Sequence, residues 1–143
     1  MTAAVAPVAT IVNAGTPENL PRFLQFIETT CASLEAGADV KFALRLAMEE
    51  VCTNLIAHGY QAGPAGPIEL AVYDERKKVT IVIRDRAPPF DPALAPSPDL
   101  TSDAEHRPAG GLGWHLVKKM MDEVDYTPGT SSGNVLTLVK RKS

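Results

Sequence analysis

Apolar residues recur along this chain in two periods, and each change of period marks a new element. Val8 to Val12 reads as a short strand. Turn residues follow, with Thr16 placed as an N-cap and Pro17 at the first helical position. Leu20, Phe23, Leu24, Ile27, Cys31 and Leu34 then recur at helical spacing, which predicts a helix from about Glu18 to Glu35. Gly37 ends it, and Asp39 is the candidate cap of the next helix. The stretch Ala43 to Tyr60 reads as one helix, with no Pro or Gly before Gly59. At about 100° per residue, Ala43, Leu44, Ala47, Met48, Val51 and Leu55 share a broad apolar side, with Lys41, Arg45 and Glu49 opposite.

A Gly- and Pro-rich loop, Gln61 to Pro67, comes next. The period then drops to two. Ile68, Leu70 and Val72 alternate with other residues, as do Val79, Ile81 and Ile83, predicting strands Ile68–Tyr73 and Lys78–Arg84 around a polar turn from Asp74 to Lys77. From Ala87 to Pro108 the chain holds six prolines. A connection of that length inside a compact domain reads as a functional lid or a disordered segment, and a lid is expected over about residues 87–109. Gly110, Gly111, Leu112 and Gly113 lead into a helix to about Glu123, with Leu116, Val117, Met120, Met121 and Val124 as its core stripe. Two strands close the pattern, near Val124–Thr127 and Asn134–Lys140. No regular βαβ alternation appears. The expected class is α+β, a two-layer sandwich with helices on one face of a mixed or antiparallel sheet.

The 143 residues suffice for one domain with one core, expected over residues 1–143. A charged fraction of 22% and a net charge of −3 provide no bulk basic field for nucleic acid. Cys31 and Cys52 lie within apolar helical patterns and read as reduced core thiols. The apolar run Ala3 to Val12 has no preceding Lys or Arg and is too short to span a membrane, so a cytoplasmic protein is expected. His58, His106 and His115 do not have the spacing of a metal site.

Three features carry candidate chemistry. Glu50 and Asn54 stand one turn apart on the side of the long helix that faces the core, where a carboxylate is costly without a partner. Such a pair can orient water around a hard cation such as magnesium; a Glu at the edge of the stripe and a backbone-bonded Asn is the structural alternative, and the helix alone favours it. The glycine run before the last helix allows backbone N–H groups to approach a phosphate, though it matches neither a Walker A motif nor the dinucleotide fingerprint. Asp85, at a strand end before a proline-rich turn, is placed either to read an exocyclic amine or to cap a turn.

In order and spacing the three resemble the boxes of the GHKL, or Bergerat-fold, ATPases, the superfamily of gyrase, histidine kinases and mismatch-repair ATPases. The wording is most similar to that of the small stand-alone anti-sigma-factor serine kinases, over about Val8 to Arg141. Glu50-Val51-Cys52-Thr53-Asn54, followed by His58 and Tyr60, resembles the N box. The resemblance gives Glu50 the role of catalytic base and Asn54 that of magnesium ligand. Asp85, Ala87, Phe90 and Asp91 fall on the G1 box, where Asp85 would accept from the adenine amino group. Gly110, Gly111 and Gly113, with Leu112 between them, fall on the G2 box bordering the phosphates, and Arg107 matches an arginine expected near the terminal phosphate. Thr137, or a residue one or two away, would match a threonine of the last strand. The family usually carries Gly where this chain has Ala87, whose methyl would narrow the base pocket and removes easy access to positive φ; Pro88 also holds Ala87 to extended backbone.

The resemblance implies ATP and Mg2+ as cofactors. It implies transfer of the γ-phosphate to a Ser or Thr of a STAS-type anti-anti-sigma protein, with a sigma factor as a further partner and homodimerisation. The other function class it allows is a binding module without catalysis, sequestering a sigma factor or STAS protein. No membrane or direct nucleic-acid partner is expected.

Overall fold

The computed structural model describes residues 6–59, 66–88, 111–131 and 133–142, and for 58, 59 and 111–114 the backbone alone. Five strands form one sheet: β1 (Ala9–Ala14), β2 (Pro67–Asp74), β3 (Lys78–Asp85), β4 (Glu123–Thr130) and β5 (Gly133–Arg141). Their spatial order is β1-β2-β3-β5-β4, and among the described residues every pairing is antiparallel, the second of the two sheet types expected. Three helices complete the layer: α1 (Leu20–Ser33), α2 (Ala38–Asn54) and α3 (Gly111–Met120).

The two periods read from the sequence become the two sides of one core. Ile68, Leu70 and Val72 of β2, Val79, Ile81 and Ile83 of β3, and Leu138 of β5 are fully buried at alternate positions. Phe23 and Ile27 of α1, Leu44, Met48 and Val51 of α2, and Val117 of α3 complete the cluster. Each such side chain contributes about 1.5–3 kcal/mol on leaving water. The helix α2 packs against both α1 and α3, which makes it the central helix of its layer.

Element ends differ from the sequence reading for local reasons. The helix α2 begins at Ala38, with Gly37 as its N-cap and Asp39 in its first turn. It ends as α-helix at Asn54 and passes into a π turn, Leu55–Gly59. Thr16 precedes a 3-10 turn, Pro17–Asn19, and its side chain makes no capping hydrogen bond. Among the described residues no helix is long and apolar enough to cross a membrane.

Candidate nucleotide site

Asp85 ends the buried alternation of β3. Val79, Ile81 and Ile83 occupy the positions facing the helices, and Asp85 takes the next, only 6% exposed. Its Oδ1 accepts two hydrogen bonds, from the Ala87 backbone N–H at 2.9 Å and from Asn134 Nδ2 at 3.0 Å. The first closes an Asx turn immediately after the strand. Burial pushes the Asp85 carboxyl above its usual range, and the Asn134 and Ala87 bonds oppose this by favouring the ionised form.

Ala87 sits in this turn without strain. No residue other than glycine has positive φ among the described residues, so the conformational freedom of glycine is not used here. The side chain of Ala87 is buried, and its carbonyl accepts from Asn134 Nδ2 at 2.7 Å.

Asn134 was not among the residues singled out from the sequence. It lies directly across the β3–β5 ladder from Asp85 and is 3% exposed. Besides donating to Asp85 and Ala87, its Oδ1 accepts from Gly129 N–H at 3.0 Å. Two acceptors thus face Nδ2 and one donor faces Oδ1, so the partners themselves fix the orientation of the amide. The signal available in sequence was a polar residue beginning an otherwise apolar strand. Thr137 instead pairs with Val82, at a position facing away from the helices, and does not meet Asp85.

The β4–β5 turn is pressed onto the end of β3. Gly133 has φ +91, and a Cβ there would overlap the Asp85 carbonyl oxygen. Arg86 Nη2 donates to the Ser131 carbonyl at 3.2 Å. Near this end, a groove of about 430 Å³ is lined by Val12, Pro67, Glu69, Arg84, Asp85 and Arg86. Glu69 and Arg84 stand at strand positions facing away from the helices and pair with each other at 3.3 Å. The groove therefore lies mostly on the outer face of the sheet, with Asp85 at its edge, and its Glu69 and Arg84 charges are engaged with each other.

Glu50 and Asn54 are half-buried and one turn apart on α2. Among the described residues no ion pair holds Glu50; the nearby Arg45 approaches Glu49 instead, at 3.9 Å. The Asn54 Nδ2 is buried and has no hydrogen-bond partner among the described residues. An unspent amide at this place fits a polar ligand, and its Oδ1 is a hard oxygen donor suited to magnesium. Gly111 opens α3, which packs along α2 and so brings that N-terminus into the same layer. Phe90, Arg107 and Gly110 lie outside the described residues, as does the expected lid apart from Ala87 and Pro88; of Leu112 and Gly113 the backbone lies in α3.

Residues 14–140 match the family model of the histidine kinase-like ATPase domain. The chain belongs to this family. It is 35% identical over 116 residues to the serine-protein kinase RsbW of Bacillus licheniformis, covering 73% of this chain and 70% of that one. It is 26% identical to an anti-sigma F factor of Anoxybacillus flavithermus, over 76% of this chain and 75% of the other. The serine/threonine-protein kinase BtrW of Bordetella bronchiseptica is 29% identical, and the match spans 63% of each chain. Among solved structures, the RsbU and RsbW domains of a Mycobacterium tuberculosis protein superpose with a TM-score of 0.62 at 16% identity, covering 94% of this chain and 32% of that one. The catalytic domain of histidine kinase ThkA, in a nucleotide-free form, gives 0.53 at 14% identity, over 94% and 98% of the two chains. These likenesses place the α+β fold among the ATPase domains of the histidine kinase type.

Proposed function

We propose that this histidine kinase-like ATPase domain is a protein serine/threonine kinase of the anti-sigma type. It binds ATP and phosphorylates a Ser or Thr of a STAS-type anti-anti-sigma protein, in a partner switch that controls a sigma factor in the cytoplasm. The observation that carries this reading is the buried Asp85 carboxylate, held in an Asx turn at the helix-facing end of β3, within a chain matching the ATPase family over residues 14–140. The names of the relatives, serine-protein kinase and anti-sigma factor, support the two halves of the reading.

In this mechanism Asp85 accepts from the exocyclic amine of adenine. The N–H groups opening α3, from Gly111, face the phosphates, where the helix dipole favours negative charge. Asn54 would hold magnesium, and the ion would supply charge neutralisation on the phosphates. Glu50 takes the proton of the acceptor hydroxyl as its oxygen bonds the γ-phosphorus and ADP leaves. Arg107 belongs to the same reading as a further counter-charge at the terminal phosphate, and Phe90 as a further nucleotide-binding residue of the G1 box.

The deciding experiment is transfer of label from γ-radiolabelled ATP to a STAS protein recovered with this chain by co-purification. Labelling of a Ser or Thr on the partner is expected. A partner that binds tightly but never becomes labelled overturns the kinase and leaves the sequestering module, the reading that the anti-sigma relatives also support.

A further inference from the structure

We propose that Asn134 is the positioning residue of the base-reading site: its amide fixes the rotation of the Asp85 carboxylate, and thereby sets the preference for an amino-substituted purine over a carbonyl-substituted one. This deepens the proposed function and rests on Asp85 being the residue that reads the base.

The geometry is that of a clamp. Asn134 Nδ2 donates to Asp85 Oδ1 and to the Ala87 carbonyl, the two ends of the Asx turn. Asn134 Oδ1 is itself held by Gly129 N–H, across the β4–β5 turn. Both hydrogen bonds to the carboxylate fall on Oδ1, which leaves Oδ2 as the oxygen to accept from a ligand. The amide is held on three sides, so the carboxylate cannot rotate without breaking bonds to two elements. Gly133, where only a residue without Cβ fits against the Asp85 carbonyl, presses the turn that carries Gly129 onto the same strand end.

The clamp also acts on charge. Burial favours the neutral carboxyl, and the amide of Asn134 is one of two donors that oppose it. Among the described residues no charged group enters this balance: Arg84 is paired with Glu69, Arg86 reaches the Ser131 carbonyl, and Glu50 on α2 does not contribute. An ionised carboxylate only accepts, and so matches the exocyclic amine of adenine. A protonated carboxyl donates as well, and would match the carbonyl that hypoxanthine carries at the same ring position. Loss of Asn134 therefore acts in one direction, towards protonation and towards relaxed choice of base.

The test compares wild type with Asn134→Leu, which removes the side-chain amide at similar volume and leaves the Ala87 N–H donor in place, and Asn134→Asp, which keeps the shape but faces Asp85 with an acceptor. Asp85 is titrated by carboxyl NMR in the nucleotide-free protein, and affinities for a non-hydrolysable ATP analogue and its inosine counterpart are measured across pH. Both variants are expected to raise the Asp85 titration midpoint, Asn134→Asp the more. The preference for the adenosine nucleotide should fall by about tenfold or more, the scale of one hydrogen bond to a charged group. The acid limb of ATP-analogue binding should move to higher pH, which a merely structural defect would not cause. Should Asn134→Leu fail to fold, Asn134→Asp carries the test. A wild type that binds neither nucleotide overturns the base-reading role of Asp85 and this proposal with it. A wild type that discriminates, beside variants that discriminate equally and titrate unchanged, overturns the role of Asn134 alone.

Discussion

Gly133 lies against the carbonyl of Asp85 so closely that no side chain fits between them. Its φ of +91 is a second reason for glycine at this place. Gly133→Ala is expected to lower stability by about 1–3 kcal/mol, the range for a residue forced into a sparsely populated conformation, with the overlap pushing towards the upper end. Urea unfolding followed by circular dichroism measures it. A change under about 0.5 kcal/mol would mean that the turn yields freely and does not brace the strand end.

Asp85 gives a pH dependence of definite sign. Its folded carboxyl titrates above the ordinary range because of burial. Free energy from this group therefore favours the fold at low pH, where the carboxyl is protonated, and is lost as pH rises through the folded value. Nucleotide binding runs the other way, since the reading needs the ionised form. The melting-temperature gain from an ATP analogue should shrink on acidification at a pH above that of an ordinary Asp, and should be largely absent in Asp85→Asn. A gain of equal size in Asp85→Asn would remove Asp85 from the base site.

For Glu50, the conservative variant separates chemistry from packing. It is half-buried, and no ion pair among the described residues depends on it. Glu50→Gln should keep the fold and the nucleotide-induced gain in melting temperature, while phosphoryl transfer falls by about 10² or more, the usual scale for losing a general base. Asn54→Ala should lose the magnesium-dependent part of nucleotide binding as well. Transfer by Glu50→Gln at the wild-type rate would show that another group takes the proton.

The two cysteines should be silent to thiol reagents. Cys31 and Cys52 are buried in α1 and α2. Burial pushes their thiols up to about 11 and about 12, with Glu49 adding to the rise in both and Arg45 and Lys41 opposing it at Cys31. Neither should react with Ellman's reagent at pH 8 in the native protein, and both should react in denaturant. Rapid reaction of one thiol without denaturant would mean that its helix opens locally.

How far the chain could be read in advance depended on the range of the interaction. The buried faces of α1, α2, β2 and β3 follow local periods, and Phe23, Ile27, Leu44, Met48 and Ile81 stand in the core where those periods place them. Asp85 was legible because a carboxylate at a strand end before a proline-rich turn is itself a local signal. Asn134 was not, because its meaning comes from a ladder partner 49 positions away, and register is set by pairing that no local pattern states. The unspent amide of Asn54 belongs to the same class, since a missing partner shows only after the neighbours are placed. The start of α2 was misplaced because Ala38 and Val40 extend the apolar side beyond the stretch where it is densest.

The carboxylate proposed to read the base ends β3, and β3 is the middle strand, with β2 on one side and β5 on the other. Amides of a strand paired along both edges exchange with solvent through global opening, so those of Ile81 and Ile83 should be among the slowest in the molecule. Asp85 is thus anchored to a strand paired along both edges. An effector that tunes nucleotide affinity would gain little by loosening β3, since the strand is held along both edges. Among the described residues, the element that touches the site from outside that strand is the β4–β5 turn, whose Gly129 N–H holds Asn134 and whose Ser131 carbonyl holds Arg86, and control would enter there.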